Sequence, residues 1–426
     1  MSVTANTGLV AFRNNARVIC SQLSATNIYR ALLSFEVDGT ALQFNGVDVK
    51  LYFIARENSG TLSGYFDTEP ILERAFAVKQ KNLNAGIPLA FGQLATVSPR
   101  VTTYNLLSVE GTIDYTELSS ATVPISEVAS SVTPDTYTVV YANVAFDRTE
   151  AQSLADYDPD GGAWGSVKFL TSQPQYLDIE LTDSAFLAAI NGATRSFTHC
   201  NITTYNASLV KISNGVIELE SPLAGYHYTQ AGIGAKQINA LASGDFVIGS
   251  QQTISNSTPY YSISFGTASG GAYTRRTEER YFRVVQPCIS QTRLHFVNKF
   301  GAVDSYTFNL RSERRAITDF ERFERRNASA TPSASPSDVM QNRFNITQRK
   351  QFDLFSALVT AQERDWLNQL LSSPMVCREV SIGGTLTYIP VEITDTDQTP
   401  VFEPINGFEF ALSIIDSQTN STPVVW

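Results

Sequence analysis

Asp156, Asp158 and Asp160 are the residues whose type and spacing most suit chemistry, in the run Asp156-Tyr157-Asp158-Pro159-Asp160-Gly161-Gly162. Carboxylates at alternate positions before a glycine turn can converge on one calcium ion, because a tight loop aims them inward. The position that would supply the closing bidentate carboxylate holds Val167, and Pro159 restricts the turn. A solvated acidic turn is therefore the plainer reading of this run, with calcium as the sharper alternative. No other cofactor is expected.

The only histidines are His199, His227 and His295, and none lies in a His-Glu-x-x-His arrangement. His199 adjoins Cys200, yet neighbours in a strand point to opposite faces, so adjacency does not make them a nucleophile and its base. All three histidines are read as core or interface residues. A Gly-x-Ser-x-Gly turn is missing, and Gly232-Ile233-Gly234 is not followed by a phosphate-binding Lys-Ser/Thr. Paired glycosidase carboxylates can lie far apart in sequence, so that class points to no particular residues. No catalytic residue is assigned, and the chain is read as a non-enzyme.

Two other sets carry weaker signals. Arg314, Arg315, Arg322, Arg325 and Arg326 could grip phosphate, but Glu313, Asp319, Glu321 and Glu324 interleave with them. Such mixing favours an ion-paired surface or a subunit contact. Tyr226, Tyr228, Tyr260 and Tyr261 could stack on sugar rings, although strand tyrosines are more often core or cross-strand pairs.

Composition agrees with a protein that works through its surfaces. Only 17% of the 426 residues are charged, the net charge is −10, and Phe and Tyr number 25 and 18. That mixture favours strands and turns over long helices. The negative balance argues against nucleic-acid partners, and no apolar run is long enough to span a bilayer. Cys20, Cys200, Cys288 and Cys377 are too scattered for a zinc site and are expected as buried small hydrophobes. The N-terminus lacks the basic and apolar segments of a signal peptide, so a cytoplasmic origin is expected.

These features must be held by a mainly β fold with a few short helices, built of β-sandwich or barrel units and an α+β C-terminal unit. Three domains are expected. Residues 1–105 form a β-rich unit with one short helix capped at Asp67 or Thr68. Residues 106–285 form an all-β unit in which Phe186 to Ile190 is read as one helical turn. Residues 286–426 open on a hairpin, Leu294 to Phe308, turning at Lys299, Phe300 and Gly301, with Leu294 and Phe296 sharing one face. Ala328 to Asp338 is a low-complexity Ser/Pro/Ala loop. Thr360-Ala361-Gln362-Glu363 is a capping box opening a helix with Trp366, Leu367, Leu370 and Leu371 on one face.

Two stretches resemble structural proteins of tailed-bacteriophage virions, specifically tail or baseplate components. One is Ser63-Gly64-Tyr65-Phe66-Asp67 running into Ile71-Leu72-Glu73. The other comprises Leu294 to Gly301 with Asp304 to Phe308, then Gln362-Glu363 to Ser373-Pro374, then Tyr388 to Thr394. The resemblance covers both ends of the chain and no active-site residue. It implies a ring-forming virion component, in a tail, neck or baseplate, whose partners are copies of itself and other virion proteins. A host-surface glycan is the alternative partner, through a carbohydrate-binding middle unit, and a β-rich depolymerase is the third reading.

Overall fold

The architecture comes from a computed structural model, which describes residues 2–4, 9–11, 17–23, 28–54, 56–58, 61–75, 89–90, 94–106, 128–132, 137–140, 157, 167–192, 194–219, 227–286, 291–324, 341–382, 385–394, 401–403, 407–417 and 420–421. They are mainly β, with three short α-helices at Glu69–Ala75, Ala235–Asn239 and Ala361–Leu371. The Ser/Pro/Ala loop expected at 328–338 lies outside the described residues.

In the N-terminal part, Ile28–Val37 pairs antiparallel with Leu94–Leu106 on one side and Lys50–Ile54 on the other. Leu33 and Phe35 are buried, as alternation along a half-covered strand requires. The Glu69–Ala75 helix begins where the Asp67 carboxylate accepts the Glu69 amide at 3.2 Å, and it buries Leu72.

The middle of the chain builds a seven-stranded sheet. Its order is Tyr176–Glu180, Arg280–Val285, Tyr260–Ser269, His199–Tyr205, Lys211–Glu218 and Phe246–Gly249, with Ala272–Arg275 pairing to Tyr260–Ser269. Cys200, Ile202, Tyr261, Ile263, Phe265 and Phe282 enter the core from one face. Phe186–Asn191 is a strand rather than the expected helical turn. It pairs antiparallel with His227–Gly232, from Phe186↔Gly232 to Asn191↔His227. A short apolar run has no helical or strand preference of its own; the distant partner decides it by supplying the backbone hydrogen bonds.

The C-terminal sheet is eight-stranded, with Asn420–Ser421 pairing beside its main path. That path runs Val303–Phe308, Thr292–Val297, Val376–Ile382, Thr385–Ile393, Ala411–Asp416, Gln341–Phe355 and Arg311–Glu324. The capping box closes as its spacing requires: the Glu363 amide donates to Thr360 Oγ1 at 3.2 Å, and the Thr360 amide donates to Glu363 Oε2 at 2.7 Å. The helix it starts packs Trp366, Leu367 and Leu370 against the sheet. Gly301 turns the hairpin at φ +78°, a conformation in which a Cβ would be strained.

Leu294 and Phe296 share a face as expected, but the whole Thr292–Val297 strand is buried, so the opposite face is covered too. On that side Phe186 and Tyr388 flank His295, with ring centroids at 5.5 and 5.1 Å. One apolar cluster joins Phe169, Ile179, Phe265 and Phe282 to Leu294, Phe296, Phe308, Trp366 and Leu412. Residues on both sides of position 285 thus share a core.

The last two strands leave that core as a ribbon. Arg311–Glu324 and Gln341–Phe355 pair from Arg311↔Phe355 to Glu324↔Gln341. A third strand covers only Gln351 to Phe355, and Asn420–Ser421 adds Thr347 and Gln348. Beyond these, from Glu321↔Phe344 outward, the ladder is two-stranded among the described residues.

Candidate functional site

Asp156, Asp158 and Asp160 fall outside the described residues; of their run only Tyr157 is described. It is buried against Phe300 at the hairpin turn, with ring centroids 4.6 Å apart. Among the described residues no group of three His, Cys, Asp or Glu side chains could hold a metal. Cys20, Cys200 and Cys377 are free and buried, and burial pushes the Cys20 thiol up to about 11. Tyr228 and Tyr261 are core residues, the latter stacked on Phe282 at 5.0 Å, and Tyr226 lies outside the described residues. Tyr260, the fourth of the set, is half-buried like Tyr205 and Tyr281, and the exposed tyrosines among the described residues are Tyr65 and Tyr176. Tyr176, 55% exposed, stacks on Tyr281 at 5.1 Å, and Tyr281 meets Tyr205 at 6.1 Å.

The structure gathers its polar chemistry where the hairpin meets the middle of the chain. Asp304 Oδ2 accepts the Trp366 indole N–H at 2.7 Å and the Thr171 hydroxyl at 3.0 Å. Burial raises this carboxyl to about 6 against the pull of those donors. Asn298 ties the turn to the same place: its Nδ2 donates to the Leu170 carbonyl, and its Oδ1 accepts the Phe300 and Ala302 amides. One hairpin thereby fixes the 169–173 segment and the helix together.

A second buried network lies on the other face of the hairpin. Arg293 pairs with Asp183 at 3.0 Å and also donates to the Ser184 carbonyl and the Thr307 hydroxyl. Thr307 Oγ1 in turn donates to Asp183 at 3.1 Å. Glu180 accepts from Gln291, and burial, then the nearby Asp183 charge, raise its carboxyl to about 7. His295 is held neutral by burial, so its Nε2–H donates to Glu379 at 2.9 Å while Nδ1 accepts from Ser305 at 2.8 Å. Burial alone would raise Glu379, but the hydrogen bond from His295 and nearby positive charge hold it below the usual carboxylate range. None of Asp183, His295, Asp304 or Glu379 lines the surface cleft described next. These groups lock elements together.

Above the Asp304 clamp opens a cleft of about 780 Å³. Its walls are the 168–175 segment, the Glu278–Arg280 stretch, the hairpin turn at Lys299, and one side of the Ala361–Leu371 helix. Glu278 is fixed by the Phe169 amide and by Arg280 at 2.8 Å, and Arg280 also donates to the Gln173 carbonyl at 2.7 Å. Gln369 bridges the walls, its Nε2 donating to Ser172 Oγ and its Oε1 accepting the Lys299 amide at 3.0 Å. The helix contributes Gln362, Asp365 and Gln369, spaced i, i+3 and i+7 and so on one face. That polar stripe beside the Trp366 stripe was the available sequence signal for the cleft. The opposing wall was not readable, since Gln173 and Arg280 are 107 residues apart.

This arrangement defines a β-rich protein with a polar surface cleft. No protein-family profile matches the chain, and no curated protein is significantly similar to it. Among solved structures, a chain described as "Biofilm associated protein - BSP domain" is similar at 10% identity and a TM-score of 0.15. The match covers 82% of this chain and 64% of that one. At that score the likeness carries no argument about fold or function.

Proposed function

We propose that this chain is a non-enzymatic structural component of a tailed-phage virion, in a tail, neck or baseplate, where copies close into a ring and join neighbouring virion proteins. The observation that carries the assembly reading is the ribbon of Arg311–Glu324 and Gln341–Phe355, which among the described residues runs beyond the strands that flank it. A two-stranded ladder in water is marginal, because one pairing partner and one exposed face do not offset the entropy of ordering it. A neighbouring subunit would supply the missing contacts. Arg314, Arg315, Arg322 and Glu321 are exposed along it, offering charges of both signs to that neighbour. Arg311–Glu324 also ends its sheet, and a terminal strand presents unpaired backbone donors and acceptors. Copies meeting head to tail around an axis close a ring. The phage context itself rests on the resemblance at the two ends of the chain.

Imaging intact particles by electron cryo-microscopy tests this. The expected result is density for the chain repeated about the tail axis, with each ribbon lying on the next copy. Its absence from purified particles would sink the reading. Polysaccharide turnover that disappears on single carboxylate substitutions would overturn the non-enzymatic assignment.

A further inference from the structure

Two oppositely charged side chains at the junction each keep one buried atom outside the hydrogen bonds that hold the rest of them. Glu180 is 2% exposed: its Oε1 accepts from Gln291 Nε2 at 2.6 Å, but its Oε2 has no protein partner. Arg293 is 7% exposed: its Nε and Nη1 donate to the Ser184 carbonyl, the Thr307 hydroxyl and Asp183, but its Nη2 has no partner. A buried carboxylate oxygen or guanidinium N–H left unbonded costs free energy, so each points to a bound group that completes it.

The two atoms belong to one cluster. Asp183 Oδ2 accepts the Glu180 amide at 2.9 Å and pairs with Arg293 Nη1 at 3.0 Å, so one carboxylate oxygen ties both residues. Ser184, whose carbonyl Arg293 holds, adds a buried hydroxyl beside that of Tyr388. Yet no ion pair joins Glu180 to Arg293 among the described residues. Of the influences on the Glu180 carboxyl, the Arg293 charge is the weakest, behind burial, the Asp183 charge and the Gln291 bond. The guanidinium thus stands off from the carboxyl instead of gripping it.

Charge selects what completes the two groups. An anion would meet the Glu180 and Asp183 carboxyls, and a cation would meet the Arg293 guanidinium. Water suits both, because it accepts from Nη2 and can either donate to Oε2 or accept its proton. Internal waters have about two to four polar partners of this kind.

We propose that an internal water molecule is built into the junction, bridging Glu180 Oε2 and Arg293 Nη2. With Oε1 held by the Gln291 amide, Oε2 is the oxygen that takes the proton, and the water accepts it. When Glu180 is ionised that one bond reverses, and the water donates to Oε2 while still accepting from Nη2. The water thereby ties the end of the Tyr176–Glu180 strand to the Thr292–Val297 strand of the C-terminal sheet. The site goes beyond the assembly reading and stands whether or not the chain is found in virions.

Crystal structures of the full chain test this, grown about one pH unit below and above the Glu180 midpoint of about 7 and resolved well enough to show ordered water. The expected result at each pH is one water within about 3.2 Å of both Glu180 Oε2 and Arg293 Nη2. A direct bond between the two side chains, or no bridging water, at either pH overturns the proposal. In solution, magnetic relaxation dispersion of water oxygen-17 counts long-lived internal waters. Glu180→Leu removes Oε2 and should lower that count by one. An unchanged count in the folded variant overturns the proposal as well.

Discussion

Glu180 and Arg293 show how individual side chains hold the junction and how that hold depends on pH. The Glu180 carboxyl is raised from 4.5 to about 7, so its contribution to stability is complete below about 4.5 and is lost as pH rises through about 7. His295 has the opposite sign. Its pKa is lowered from 6.5, so its contribution is present above 6.5 and is lost as pH falls below that value. The window in which Glu180 acts without His295 is therefore pH 8 to 6.5. Across it, unfolding free energy from urea titrations should rise by about 1 kcal/mol as pH falls, and Glu180→Gln should flatten that rise. Arg293 makes a different prediction. Arg293→Met would leave Asp183 buried without its cation, at a cost of about 3–5 kcal/mol. Adding Asp183→Asn should recover part of that loss, because the two sites are coupled and their effects do not add. A double variant as unstable as the sum of the singles would show that the pair is not the unit described.

At the scale of elements, the hairpin and the capped helix are the pieces that build the cleft. Gly301 at φ +78° closes the turn, and Gly301→Ala should destabilise the protein by about 1–2 kcal/mol through left-handed strain alone. Thr360→Ala removes the acceptor of the Glu363 amide, a loss of about 1 kcal/mol in thermal or chemical unfolding, whereas Thr360→Ser should restore it. Both elements were legible from sequence because their signals are local: a glycine between two alternating runs, and a capping box before an apolar stripe. Phe186–Asn191 was not legible as a strand for the converse reason. Its six residues are all buried, and only pairing with His227–Gly232 distinguishes strand from helix.

For the whole molecule, the decisive feature is the division between a shared core and a ribbon that leaves it. The core cluster spans residues on both sides of position 285, whereas the outer ladder from Glu321↔Phe344 to Glu324↔Gln341 has no third strand among the described residues. Joining the two strands by a short turn just beyond Asp319↔Thr347 should therefore leave the thermal midpoint of the core unchanged. The same shortening should abolish ring formation, read by particle imaging or by light scattering of any assembled rings. Rings that persist without the ribbon would remove the observation on which the assembly reading rests.

What the sequence alone determined is the mainly β class, the Leu294–Phe308 hairpin and the helix opened at Thr360. Each follows from periodicity or capping within about a dozen residues, where local steric and hydrogen-bonding rules act. Only the tertiary structure decided which polar residues meet. Thr171, Asp304 and Trp366 converge from three separate segments, and the cleft takes its walls from segments as distant in the chain as 168–175 and the Ala361–Leu371 helix. The aspartates at 156, 158 and 160 drew attention because their spacing is visible in one dimension. The cleft did not, because its chemistry is made by packing and has no spacing to read.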